Sequence, residues 1–142
     1  IMVDKCVNHI VWVLNAIQEH NKILFLELKS KMNNSFFISN KNFQQYFYTF
    51  TLYLKLEKSF SKGYHLLLAN KLTKKTLNTL CQNYLIRMAM HFKTSGTYLK
   101  MARKEVNAHF EEFSFIYSEM KNIASLLHTL ESDINYLIKN LY

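Results

Sequence analysis

Proline is absent from the 142 residues, and glycine occurs only at Gly63 and Gly96. Ordinary usage, roughly 5% Pro and 7% Gly, would give about seven and ten. The deficit excludes collagen-like and proline-rich segments. It also leaves too little punctuation for a β-sandwich, which needs a turn every ~8–12 residues. Phosphate-cradling loops of the GxxxxGK[ST] or GxGxxG kind are excluded as well, since each needs closely spaced glycines. Aspartate is scarce too, at Asp4 and Asp133 only, and arginine is confined to Arg87 and Arg103. Long apolar runs are missing: Ile10–Leu14 and Ile23–Leu26 fall far short of the ~20 residues a membrane-spanning helix requires. Residues 1–20 carry neither a basic stretch nor a small-residue cleavage site, so they do not read as a secretory signal. The chain opens on Ile1, which fits an excised domain or a processed product.

The residues that are present are apolar and rich in rings. With 49% hydrophobic and 15% aromatic residues, the chain has enough to bury a core in a single domain spanning 1–142. Val3, Val7, Ile10, Leu14, Ile17, Leu24 and Leu28 recur at helical spacing and predict a long first helix, with Asn21 interrupting the stripe. Met32–Asn42 reads as a loop, because its Asn and Ser side chains compete for backbone hydrogen bonds.

Two patterns overlap over residues 48–57. Tyr48, Phe50, Leu52, Leu54 and Leu56 alternate with polar neighbours as in a β-hairpin, while Phe43, Phe47, Phe50, Leu54 and Phe60 share a helix face. No second segment alternates to supply a strand partner, so helix is the expectation, ending at Gly63, with 64–72 a short helix or the entry to the next. Leu77, Leu80, Cys81, Tyr84, Leu85, Met88 and Phe92 predict an amphipathic helix over 74–92. Thr94-Ser95-Gly96-Thr97 then reads as a break, with Thr97 capping the next helix. From Leu99 through Val106, Phe110, Ile116, Ile123 and Leu130 to Leu141 the stripe predicts one last helix of about 65 Å at 1.5 Å per residue. The expected fold is all-α, a bundle of four to five helices with long first and last members.

The net charge of +8 is concentrated. Residues 1–40 carry +1 and residues 98–142 carry −1, whereas 41–97 hold nine bases against Glu57 alone. Lys58, Lys62, Lys71, Lys74 and Lys75 form the densest group and predict a basic contact patch for an acidic protein segment, nucleic acid or anionic lipid, or else an ordinary solvated face. Lysine rather than arginine dominates it, which suits backbone contact better than base reading.

The search for chemistry is negative. Glu105, His109 and Glu112 share a helix face, but the second carboxylate–histidine pair that a helical metal site uses is missing. Cys6 and Cys81 sit on apolar stripes without a neighbouring histidine and read as reduced core thiols, not nucleophiles. No GxSxG elbow occurs, and so few acids suit glycosidase, phosphotransferase or divalent-metal chemistry poorly.

The expected function is therefore a non-enzymatic scaffold or adaptor without a cofactor, placed inside the cell in cytoplasm or nucleus. It binds a partner helix or self-associates through apolar heptad faces. Leu127, Leu130, Ile134, Leu137 and Leu141 form the seam for a partner or homodimer, or else pack inside the monomer. The alternative is a nucleic-acid-associated module using the basic segment 41–97. A third reading is a secreted four-helix, cytokine-like protein, which a Cys6–Cys81 disulfide would support.

Overall fold

The computed structural model describes residues 2–105 and 110–142, and for Phe110 the backbone only. Its elements are α1 (Met2–Lys31), α2 (Ser35–Ser39), α3 (Lys41–Ala69), α4 (Lys74–Leu80), α5 (Ile86–Glu105) and α6 (Phe110–Asn140), with a π-helical turn, Cys81–Leu85, joining α4 to α5. The fold is all-α, without a strand among the described residues, and the first and last helices are long. No described helix is long and apolar enough to cross a membrane.

Local chemistry sets the helix starts. Asn34 accepts a hydrogen bond from the Phe36 amide at 2.9 Å and so caps α2, and Asn40 accepts from Phe43 N at 2.8 Å and caps α3. Thr73 and Thr76 exchange backbone and side-chain bonds in a capping box that opens α4. The segment expected as one loop, Met32–Asn42, thus contains a short helix, because Asn34 and Asn40 each satisfy a helix start rather than a turn.

The long helices run up, down, up, down. Tyr64 OH donates to Val7 O at 3.0 Å while Gln18 bonds Ser61, so α1 and α3 are antiparallel. Tyr53 meets Phe92 with ring centroids 5.0 Å apart, pairing α3 with the returning α5. His9 meets Asp133 at 2.5 Å, His20 meets Glu119 at 2.6 Å and Lys31 meets Glu112 at 3.6 Å, so α6 descends antiparallel to α1. Backbones approach most closely within the pairs α3–α5 and α1–α6. Between the pairs lies an aromatic ladder, Phe37, Phe43, Tyr46, Phe50 and Tyr53, with successive centroids 4.7–5.9 Å apart. Each such ring pair adds about 0.5–1.5 kcal/mol beyond its area burial.

Residues 48–57 are helical as expected, inside α3, and the alternative β-hairpin does not form. Tyr46, Phe50, Tyr53, Leu56, Phe60 and Tyr64 are the buried face of α3. Two sequence-based boundaries are corrected. Gly63 does not end a helix: α3 continues to Ala69, and the missing side chain makes room for Leu80, whose Cδ1 a Cβ at position 63 would strike. Thr94–Thr97 is no break either, since α5 passes through it. There Ser95 Oγ donates to Phe92 O at 2.6 Å and Thr97 Oγ1 to Lys93 O at 3.4 Å, satisfying hydroxyls within the helix instead of capping. The expected 65 Å helix is consequently two helices, α5 and α6. Both bury one stripe in the same core, which is why the periodicity continues across them. Val106 and His109 lie outside the described residues.

Candidate functional site

The apolar seam is used inside the chain. Leu127, Leu130, Ile134 and Leu137 are buried, and Leu141 is half-buried against the core. Packed in this way, Leu127, Leu130, Ile134 and Leu137 are covered within the chain, whereas Leu141 keeps part of its surface exposed.

The basic residues behave differently. Lys58, Lys62, Lys71, Lys74 and Lys75 are all exposed, and none forms an ion pair among the described residues. Lys58 and Lys62 stand one turn apart on α3, while Lys71 lies in the α3–α4 connection and Lys74 and Lys75 open α4. Glu57, the segment's only acid, is 1% exposed, so the surface of 41–97 is more uniformly basic than its sequence total implies.

Of the residues considered for a metal, Glu105 accepts hydrogen bonds from Asn40 at 3.0 Å and Asn42 at 2.6 Å, and Glu112 lies 3.6 Å from Lys31. His109 is outside the described residues. Among the described residues no group of three potential ligands converges. Both cysteines are free and buried, without a disulfide. Burial pushes each thiol up to about 11, with the Asp133 charge adding to the effect at Cys6, which favours the protonated thiol at neutral pH.

One concavity among the described residues lies where none of these groups is. Between α5 and α6 a groove of about 720 Å³ follows Phe92, Gly96, Leu99, Lys100 and Arg103 along one wall. The facing wall runs from Phe113 through Ser114, Tyr117, Ser118, Met120 and Lys121 to Ala124. Small residues open it: Gly96, Ser114, Ser118 and Ala124 leave the furrow unfilled, and a Cβ at Gly96 would meet only Met120 Cε at 4.0 Å. Leu99, Phe113 and Met120 are buried and supply an apolar floor. Each wall extends for about three helical turns.

The rim is basic. Lys100, Arg103 and Lys121 line the groove and no described carboxylate does, although residues 98–142 carry a net negative charge. Four of the six acids of that segment are directed elsewhere: Glu105 to Asn40 and Asn42, Glu112 to Lys31, Glu119 to His20 and Asp133 to His9. The Arg103 guanidinium lies 5.0 Å over the Tyr117 ring, which holds it along the groove wall. Burial raises the Tyr117 hydroxyl above the usual phenol range, opposed by the same guanidinium.

A sequence total conceals this arrangement, because it averages faces that the fold separates. The signal that was present is the spacing of small residues, Ser114, Ser118 and Ala124, beside Lys121 on an otherwise bulky helix. In comparisons with known proteins, the chain matches no family model, no curated protein and no solved structure.

Proposed function

We propose that the chain is a non-enzymatic protein-interaction module that seats an acidic amphipathic helix in the α5–α6 groove. The observation that carries this reading is the combination of an apolar floor, a length of about three turns and a rim with three cations and no described acid. A helix laid in such a groove presents apolar side chains at i, i+3 or i+4, and i+7 to the partly exposed Phe92, Tyr117 and Ala124, above the buried Leu99, Phe113 and Met120. Glutamates on its flanks then face Lys100 and Lys121, which speeds encounter and fixes orientation more than it adds affinity.

A labelled peptide of about fourteen residues, with leucines at those spacings and glutamates between them, tests the reading by fluorescence anisotropy. Binding is expected to weaken at least tenfold in Lys100→Glu/Lys121→Glu and in Gly96→Leu, which fills the furrow without altering charge. Unchanged affinity in both variants contradicts it.

The exposed lysines of 58–75, without ion pairs among the described residues, support a second reading, a nucleic-acid-associated surface. Its mark is binding to generic duplex or single strands that falls steeply with salt and is lost when Lys71, Lys74 and Lys75 are replaced together.

A further inference from the structure

Charge divides between the two helix pairs of the bundle. Residues 41–105, which contain α3, α4 and α5, hold twelve of the eighteen bases and two of the ten acids, a net charge of +10. The remaining residues, with α1, α2 and α6, hold six bases and eight acids, a net charge of −2. Of the two acids in the basic half, Glu57 is buried, and Glu105 lies at the end of α5, where Asn40 and Asn42 donate to it. One side of the bundle is thus strongly positive and the other slightly negative.

The exposed side of the basic pair carries a regular pattern. On α3, Tyr48, Lys55, Lys62 and Leu66 are exposed at intervals of seven, seven and four residues, one stripe along the helix. From α4 through the π-helical turn into α5, Lys75, Thr79, Asn83, Arg87, Met90 and Thr94 are exposed at intervals of three or four. A hollow lined by Leu66 on α3 and by Lys75, Thr79 and Asn83 borders both stripes. The face so formed is two helices wide, and α3 gives it a length of about 40 Å at 1.5 Å per residue. Tyr48, Leu66 and Met90 are each more than half exposed, standing among Lys55, Lys62, Lys75 and Arg87 with no carboxylate on either stripe.

Cations interspersed with protruding apolar groups suit a lipid bilayer. The cationic ends stay among anionic headgroups while apolar neighbours reach the acyl boundary. A nucleic acid would engage the bases through its phosphates and leave Leu66 and Met90 without a role. We propose that the α3–α5 face docks on an anionic membrane surface through Lys55, Lys62, Lys75 and Arg87, with Tyr48, Leu66 and Met90 entering the interface. The uneven charge orients the chain as it approaches, since the slightly negative α1–α6 side is turned away from such a surface.

Flotation of the full chain with vesicles tests the proposal, using phosphatidylcholine alone and phosphatidylcholine mixed with phosphatidylserine. Each base near an anionic surface is worth roughly fivefold in binding. The expected result is binding to the mixed vesicles only, falling at least tenfold between about 0.1 M and about 0.5 M salt. Lys62→Glu/Arg87→Glu is expected to weaken it at least tenfold, and Leu66→Ser/Met90→Ser several-fold. Lys29→Glu/Lys139→Glu makes the same charge change at exposed positions on α1 and α6 and is expected to cost less than threefold. No binding to the mixed vesicles, equal losses from the two charge-reversed pairs, or binding indifferent to Leu66→Ser/Met90→Ser overturns the proposal. Binding of a short DNA duplex while the vesicles stay unbound also overturns it, in favour of the nucleic-acid reading. The α5–α6 groove contributes no residue to this face, so its peptide titration stands or falls separately.

Discussion

Replacing Glu57 with glutamine probes the least comfortable group in the core. Its carboxyl is 1% exposed and has one oxygen without a partner. Burial raises it from 4.5 to about 7, a rise that a Gln18 hydrogen bond and the Lys58 charge only partly oppose. The folded chain thus holds this proton more tightly than the unfolded chain does. Its stabilising contribution is fully present below about pH 4.5 and is lost as the pH rises through about 7. At 1.36 kcal/mol per unit, the loss between pH 4.5 and pH 8 is about 3 kcal/mol.

Glu57→Gln cannot ionise, so it escapes that loss while keeping size and polarity. Urea unfolding of both proteins at pH 5, 6, 7 and 8 isolates the effect, because the histidine–carboxylate pairs between α1 and α6 are common to both and cancel in the difference. The variant is expected to gain on the wild type steadily across this range, by about 2–3 kcal/mol in total. A difference that stays flat from pH 5 to pH 8 would refute the burial of an ionisable carboxyl at this position.

Further predictions concern the glycines and the thiols. Gly96→Ala, where a Cβ meets only Met120 Cε at 4.0 Å, is expected to stabilise α5 by roughly 0.5–1 kcal/mol and raise the melting temperature by a few degrees. Gly63→Ala gains the same propensity but must displace Leu80, and overpacking of about 1–3 kcal/mol makes it neutral or destabilising. Equal stabilisation by both in thermal scans followed by circular dichroism would contradict the close α3–α4 approach. Cys6 and Cys81 are expected to resist a neutral thiol reagent in the folded chain at pH 7.5 and to react two-to-one once unfolded in urea. Rapid labelling without denaturant would show the thiols to be accessible.

The periodicity of the sequence carried the fold class, since helix stripes such as Ile10, Leu14, Ile17, Leu24 and Leu28 are buried where expected. Boundaries were less legible, for identifiable reasons. A glycine inside a helix carries the same letter as one that ends it, and only the nearness of Leu80 tells why Gly63 is there. Ser95 and Thr97 resemble a cap until their hydroxyls are seen to return to carbonyls of their own helix. The groove was hidden by averaging, because Lys100, Arg103 and Lys121 share a segment with six acids, and four of those acids are held by α1 or by Asn40 and Asn42. The burial of Glu57 was not legible, because a charge count does not show that the one acid among nine bases lies inside the fold.

The central claim is that the α5–α6 groove receives an acidic amphipathic helix. Amide chemical-shift mapping tests it most directly, by titrating the isotopically labelled chain with the leucine–glutamate peptide and, separately, with a short DNA duplex. The peptide is expected to shift resonances of residues 92–103 and 113–124, with raised salt weakening the effect and Gly96→Leu abolishing it. Peptide-induced shifts confined to 58–75, or no peptide-induced shifts at all, would contradict it.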